Sequence, residues 1–250
     1  MWVRVILIFF ALAIPRILFA MTVVIDAGHG GSDKGATRKS VREADLTFHI
    51  AKKLEKLILE DEKMHAILTR NGNKNLTLKN RAQRAQDADG DLLISIHANA
   101  SPDKQAKGLE IYFQSMLNQQ EEGMLFASWE TQPKIEGIEI NHYNRYPKYI
   151  KLIAQDIEKK QFTQESAQFA KMLYQGWMGN KKSRRNTLRQ APFYVISNVQ
   201  MPAVLVEVGF LTNSAEFQQL QTETYQGKIA QSIFRSLQNY YKDIYLKRNQ

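Results

Sequence analysis

Three polar side chains stand at the ends of predicted strands, where a purely structural strand would carry apolar residues. The strands and their polar residues are Leu92–His97 with His97, Ala203–Val208 with Glu207, and Thr22–Asp26 followed by His29. Open α/β sheets bind ligands at the carboxyl ends of their strands. If these strands run parallel, the two imidazoles and the carboxylate converge on one crevice. A carboxylate in so apolar a stretch also needs a partner there.

A fourth candidate, Glu43, lies in the first turn of a helix predicted over Arg42–Leu59. Its spacing to Leu46 places it on the apolar stripe of that helix, next to the carboxyl edge of the sheet. The stretch Ser40–Glu43 also has the spacing of a capping box, in which Glu43 would reach back to the Ser40 amide. Spacing alone leaves both roles open.

The chain has five histidines and no cysteine, so any metal must be held by histidine and carboxylate ligands. His29, His97 and Glu43 would supply two imidazoles and one carboxylate, the ligand set of a catalytic zinc that keeps one position open for water. The other histidines are predicted to have structural or solvated roles; they are His49, His65 and His142.

Several common catalytic and binding motifs are absent. The glycine cluster at Gly28–Gly31 lacks the third glycine of a dinucleotide-binding loop, and Ala36 stands where a P-loop needs lysine. The chain contains neither the HExxH motif of many metalloproteases nor the GxSxG motif of serine hydrolases. Nucleotide binding and serine hydrolysis are therefore disfavoured.

Strand patterns alternate with helical patterns along the chain. The predicted strands are Thr22–Asp26, His65–Thr69, Leu92–His97, Gly108–Gln114 and Ala203–Val208, and the predicted helices are Arg42–Leu59, Leu78–Ala88 and Tyr225–Tyr241. This alternation predicts one three-layer α/β domain over residues 21–250, with a mostly parallel sheet of about six strands flanked by helices. No period is sustained over residues 115–163, which are predicted to form an insertion.

Composition describes an ordinary globular chain with an excess of positive charge. The 250 residues are 44% hydrophobic and 24% charged, which excludes a disordered, fibrous or disulfide-stapled protein. The net charge of +9 suggests a polyanionic partner: nucleic acid, an acidic membrane face or a cell-wall polymer. No aromatic-basic motif supports nucleic acid. The basic stretch Lys181–Arg185 with Arg189 could contact such a polymer or form a solvated loop.

Residues 1–20 have the pattern of a secretory signal. A short basic start precedes the apolar run Val5–Ile14, and Ala20 provides a small residue for cleavage. The run is too short for a comfortable membrane span. We therefore expect an exported, periplasmic protein with no stable membrane span after cleavage, although a buried strand or an uncleaved anchor is the alternative.

Separated motifs together resemble the zinc-dependent N-acetylmuramoyl-L-alanine amidases. They are Val24–Ala36, Glu43–Leu46, Leu68–Arg70, Ile94–Ala100 and Met201–Asn213, in the order of the family. The resemblance implies zinc held by His29, Glu43 and His97, with Glu207 as the catalytic carboxylate. It also implies the substrate, the amide between N-acetylmuramic acid and L-alanine in peptidoglycan. A catalytically silent wall-binding or regulatory protein with the same fold is the alternative.

The resemblance extends to a cell-division subgroup whose insertion covers the zinc until an envelope activator protein displaces it. Residues 125–131 and 149–157 are similar to parts of that insertion. By this resemblance, a carboxylate of the insertion, Glu130, would occupy the open zinc position and inhibit the enzyme. The alternative is a substrate-binding loop without inhibition.

Overall fold

The first strand that the structure describes lies inside the main sheet. In the computed structural model, which describes residues 20–114, 146–177 and 187–249, β1 (Met21–Ala27) is buried along almost its whole length. Its apolar and β-branched residues suit a strand that is covered on both faces. It pairs in parallel with β4 (Met64–Leu68) and with β5 (Leu92–Asn99).

Six strands of the described ranges form this sheet, in the order β4-β1-β5-β8-β6-β7. The remaining three are β6 (Glu110–Gln114), β7 (Thr187–Ala191) and β8 (Ala203–Phe210). Strand β8 runs parallel to β5, whereas β6 is antiparallel to β8 and parallel to β7. The predicted mostly parallel, six-stranded sheet is confirmed, and the carboxyl ends of β1, β5 and β8 share one edge.

Helices cover both faces of the sheet, as the predicted three-layer architecture requires. The elements outside the sheet are the hairpin β2 (Thr37–Arg38) and β3 (Val41–Arg42), then α1 (Glu43–Leu59), α2 (Leu78–Asp87), α3 (Tyr146–Gly176), α4 (Tyr194–Ser197), α5 (Ser214–Leu220), α6 (Glu223–Tyr240), the π-helix Tyr241–Tyr245 and α7 (Leu246–Arg248). Helices α1, α3 and α6 pack over one apolar cluster, and α2 and α4 pack over a second cluster on the opposite face.

Helix α3 differs from the sequence prediction. Residues 146–163, expected to be part of an aperiodic insertion, form the first half of this 31-residue helix. Averaged over its full length, this sequence has almost no amphipathic period, although buried residues recur at helical spacing in its second half: Phe169, Ala170 and Leu173. Residues 115–145, which include Glu130 and His142, lie outside the described residues.

Strand β7 was also not predicted. Its residues, Thr187–Ala191, include Arg189 and Gln190 and contain no apolar run, because an edge strand that is half exposed needs none. The solvated-loop alternative is therefore wrong for Arg189, and Lys181–Arg185 lie outside the described residues. Residues 1–19 are likewise not described. Among the helices that the structure describes, none is both long enough and apolar enough to span a bilayer.

Candidate metal site and catalytic carboxylate

His29 lies in the tight loop that follows β1. Its backbone adopts a left-handed conformation, with φ of 58°, and the amide of Gly30 donates to the carbonyl of Asp33 at 2.8 Å. The ring Nδ1 lies 2.8 Å from Asp33 Oδ2, which turns Nε2 toward Glu43 Oε1 at 3.2 Å. The carboxylate of Asp33 thus leaves one ring nitrogen of His29 facing the crevice.

Glu43 is the first residue of α1, and its side chain is buried. Oε2 accepts a hydrogen bond from the amide of Ala36 at 2.8 Å, and Oε1 accepts one from the amide of Ala98 at 3.0 Å. The capping-box alternative is wrong, because the helix begins after Arg42 and has no side-chain cap. The hydrogen bonds of Glu43 therefore join it to the loop at Ala36 and to β5 at Ala98, and not to the start of its own helix.

His97 reaches the same crevice from β5. Its Nδ1 lies 3.0 Å from Glu43 Oε1, and its ring meets that of His29 edge to face, with 5.0 Å between the centroids. Two glycines make room for these rings. A Cβ on Gly28 would lie 2.4 Å from the His97 ring, and one on Gly35 would lie 2.6 Å from both Glu43 Oε2 and the His29 ring.

The three side chains fit a zinc ion in donor type and in spacing. Each offers one ligand atom, and these atoms lie within 4.8 Å of one another. Zinc–nitrogen bonds of about 2.0–2.1 Å in a tetrahedral site place neighbouring ligands about 3.3 Å apart. The separations of 3.0 and 3.2 Å between the ring nitrogens and Glu43 Oε1 are close to that value. Asp33 supplies the carboxylate that zinc-binding histidines commonly hold through their second nitrogen.

The same contacts shift the protonation of these groups. Hydrogen bonds to both histidines hold the pKa of Glu43 far below its usual range, even though burial opposes this. Burial lowers the pKa of His29, but the hydrogen bonds to Glu43 and Asp33 outweigh it and raise the value to about 9. The crevice therefore holds a carboxylate that stays ionised and attracts positive charge.

Glu207 lies beside His97, in register with it across the β5–β8 pair. Burial raises the pKa of Glu207 to about 7, with Glu43 and Glu110 also raising it and His97 opposing. Its Oε2 is buried without a hydrogen-bond partner among the described residues. Glu207 can therefore exchange a proton near neutral pH, and one of its oxygens is free to do so.

Two buried arginines, not identified from the sequence, hold the backbone of the His29 loop. Arg70 donates to the carbonyls of Ala27, Gly28 and Ala44 at 2.9, 3.1 and 2.6 Å. Arg70 belongs to one of the family-like motifs, so a signal for it existed.

The second guanidinium is that of Arg81, which donates to the carbonyls of Ala27 and His29 and pairs with Asp26 at 2.8 Å. Arg81 lies on the apolar side of α2 with Ala82 and Ala85, and this position was the only sequence signal for it.

The other two histidines that the structure describes lie away from the crevice, His49 on α1 and His65 on β4. Both side chains are exposed, which agrees with the solvated role predicted for His49. All four candidates lie at the predicted carboxyl edge of the sheet, namely His29, Glu43, His97 and Glu207.

Comparison with known proteins extends the likeness over nearly the whole chain. The family described as N-acetylmuramoyl-L-alanine amidase matches residues 23–239. A relative from Buchnera aphidicola subsp. Acyrthosiphon pisum, whose name gives the same activity, is 32% identical over 231 residues, which cover 88% of this chain and 94% of the relative. AmiC of Escherichia coli is 29% identical over 225 residues, 89% of this chain but only 53% of AmiC.

Solved structures show the same fold. An N-acetylmuramoyl-L-alanine amidase from Clostridium difficile 630 is 27% identical with a TM-score of 0.64, over 90% of this chain and 98% of that one. The CwlD amidase from Clostridioides difficile, in complex with the GerS lipoprotein, is 26% identical with a TM-score of 0.65, over 89% of this chain and 98% of that one.

Proposed function

The chain belongs to the N-acetylmuramoyl-L-alanine amidase family and is a peptidoglycan amidase, and we propose that it works with one zinc ion held by His29, Glu43 and His97. The bond cleaved is the amide between N-acetylmuramic acid and the L-alanine of the stem peptide. Glu207 serves as the catalytic carboxylate. The observation that carries this proposal is the convergence of three ligand atoms within 4.8 Å, with Glu207 in register beside one of them.

The chain's own residues account for binding and for proton transfer. A zinc ion held by His29, Glu43 and His97 would supply Lewis-acid chemistry, which stabilises negative charge on oxygen and makes water a stronger acid at neutral pH. Glu207 accepts the proton of the attacking water and later donates it to the leaving nitrogen of L-alanine. Asp33 fixes the ring of His29, and the amides of Ala36 and Ala98 fix the carboxylate of Glu43.

Replacing the catalytic carboxylate tests this proposal. Glu207→Gln keeps the shape of the side chain but cannot accept the proton, so hydrolysis should fall by at least about 100-fold while bound zinc stays near one per chain. Dye release from labelled sacculi and metal analysis measure the two quantities. Glu223→Gln, an exposed carboxylate on α6, is the control. Near-native hydrolysis by Glu207→Gln would remove Glu207 from the mechanism.

Chelation separates the enzyme from a silent wall-binding protein of the same fold. Removal of the metal should abolish dye release, and added zinc should restore it. The silent alternative predicts binding to sacculi without release under any metal condition. The presence of the three candidate ligands together with Glu207 favours the enzyme.

We further propose a role in daughter-cell separation or wall remodelling, at an exported, periplasmic location. Substrate and family support export, because peptidoglycan lies outside the cytoplasm. The CwlD structure contains a lipoprotein partner, which supports an envelope activator for this chain as well.

Autoinhibition by residues between β6 and α3, with Glu130 as the inhibiting carboxylate, rests on the sequence likeness alone. If autoinhibition is correct, deletion of residues 118–145, which leaves all of α3 in place, should raise basal activity. Unchanged or lower activity in a folded deletion variant would count against it.

A further inference from the structure

Beyond Glu207, the sheet carries a row of polar and aromatic side chains on one face. Glu110 lies directly across from Glu207 in the antiparallel β6–β8 pair, and Tyr112 lies across from Leu205. In the parallel β6–β7 pair, Tyr112 is in register with Arg189. Directly opposed residues project from the same face of a sheet. We call Glu110, Tyr112, Arg189 and the neighbouring Phe193 the shelf.

Arg189 is the exposed cation of the shelf. No hydrogen bond or ion pair joins its guanidinium to any residue in the part of the chain that the structure describes. Tyr112 is its register partner on β6. Burial and Glu110 raise the pKa of the Tyr112 hydroxyl to about 12, and the charge of Arg189 opposes this. The neighbouring carboxylate is already occupied, since Glu110 Oε2 accepts from Asn99 at 2.7 Å and from Tyr112 at 3.0 Å.

Two aromatic side chains of the shelf, Tyr112 and Phe193, pack against each other. The rings of Tyr112 and Phe193 pack edge to face with 4.9 Å between centroids. Phe193 remains 40% exposed, although most large apolar side chains in the described ranges are buried. An exposed aromatic ring beside a cation that has no ion-pair partner in the described ranges suits a ligand that has both aliphatic groups and a carboxylate.

The leaving group of the proposed reaction, the L-alanine nitrogen, indicates which part of the substrate lies over the shelf. Glu207 donates its proton to the L-alanine nitrogen, so the stem peptide leaves on the side of Glu207. His29 follows β1, which lies on the other side of β5 from β8. Two strand spacings separate β8 from β7, about 10 Å. An extended peptide covers that distance in about three residues.

We propose that the shelf is a subsite for the stem peptide, in which Arg189 pairs with a stem-peptide carboxylate and Tyr112 and Phe193 pack against the aliphatic part. The proposal rests on the proposed amidase function, since it takes its direction from the proton transfer by Glu207. In this proposal, Arg189 on the edge strand β7 recognises the negative charge of the stem peptide.

The test compares two soluble muramoyl-peptide substrates that differ only in whether the peptide carboxylates are free or amidated. Arg189→Gln should raise KM about tenfold for the free-acid substrate, with kcat nearly unchanged, and should leave KM for the amidated substrate unaltered. Arg189→Lys should restore part of the difference. Phe193→Ala should raise KM for both substrates alike.

Arg235→Gln, which removes an exposed arginine on α6, is the matched control for loss of charge. Equal KM values for Arg189→Gln and wild type, or an equal rise on both substrates, would overturn the proposal. Failure of the amidase function gives a different result, since the wild-type protein and the variant that lacks residues 118–145 would then cleave neither substrate whatever their zinc content.

Discussion

At the scale of single residues, the candidate site depends on side chains that do not themselves face the substrate. Asp33 is the clearest example. Its Oδ2 holds His29 Nδ1, and its Oδ1 accepts the amide of Gly35 at 3.0 Å, so one carboxylate fixes both the ring and the loop that carries it. A partner of this kind sets which nitrogen of a histidine is available to a metal and increases the basicity of that nitrogen.

We therefore expect Asp33→Asn to weaken zinc binding about tenfold while the fold is kept. The amide preserves the shape and the bond to Gly35 but removes the negative charge beside the ring. Competition with a chromophoric chelator measures the zinc dissociation constant. Asp103→Asn, in the exposed loop before β6, is the control, and an unchanged constant for Asp33→Asn would show that the carboxylate does not act through His29.

Glu207 makes a second residue-scale prediction, about stability and pH. Its pKa in the folded chain, about 7, lies above the ordinary value of 4.5. A raised pKa means that the fold favours the protonated form, so stability from this group is present below pH 4.5 and lost as pH rises through 7. At pH 8 and without metal, the free energy of unfolding of Glu207→Gln should therefore be larger than that of the wild type.

The expected gain is about 2–3 kcal/mol at pH 8 and under about 1 kcal/mol at pH 5. Urea unfolding at the two pH values measures it. A gain that does not depend on pH would mean that the carboxyl of Glu207 is not protonated by burial.

At the scale of elements, the proposed metal ligands come from separate pieces of secondary structure that must keep a fixed spacing. Arg70 joins two of them, because its guanidinium binds Gly28 in the His29 loop and Ala44 in the first turn of α1. Thr47 adds a bond from α1 to the Gly28 carbonyl at 2.9 Å. Arg70 is only 1% exposed, and a buried guanidinium is tolerated only where its donors are satisfied.

Arg70→Lys should therefore weaken zinc binding, by about tenfold, beyond any effect on folding, because one ammonium cannot reach all these carbonyls. The matched control is Arg38→Lys. Arg38 makes three hydrogen bonds, to the carbonyls of Leu211 and Thr212 and to Ser214, but it contacts no candidate ligand. If both variants lose the same thermal stability and neither loses zinc affinity, Arg70 has only a structural role.

At the scale of the whole molecule, the carboxyl ends and the amino ends of the parallel strands have different roles. The candidate site occupies the carboxyl edge of β1, β5 and β8, whereas the amino edge is held by the C-terminal helix. There, Arg248 pairs with Asp91 at 2.9 Å and with Glu165 at 3.0 Å, and Glu165 also accepts from Tyr240 at 2.9 Å. This cluster ties the end of the chain to α3 and to the start of β5.

Arg248→Gln should lower the free energy of unfolding by about 1 kcal/mol, since its partners are partly buried but keep other bonds. Zinc affinity and dye release should not change, because β5, eight residues long, separates the two edges by about 25 Å. Urea unfolding and zinc titration measure the two effects, with Arg235→Gln as control. A change in zinc affinity would show that the two edges are coupled.

The sequence predicted the fold wherever local pattern and tertiary environment agree. The predicted strand Leu92–His97 and the helix Arg42–Leu59 both have periodic apolar residues, and both exist with ends shifted by two residues or fewer. Helix α3 and strand β7 escaped prediction because α3 has almost no amphipathic period over its full length and β7 contains no apolar run.

By itself, the sequence determined which chemistry is available. A chain without cysteine, with His29, His97 and two acidic residues near strand ends, can offer only imidazole and carboxylate ligands, and its motifs belong to an amidase family. Only the tertiary structure decided which contacts Glu43 and the arginines make. A capping bond and a place at the proposed metal site require the same spacing in the sequence, and the long-range contacts to Ala36 and Ala98 replace the capping bond. Contacts between residues far apart in the chain leave no local pattern, so the buried carbonyl bonds of Arg70 and the exposed shelf at Arg189 became visible only once the strands were paired.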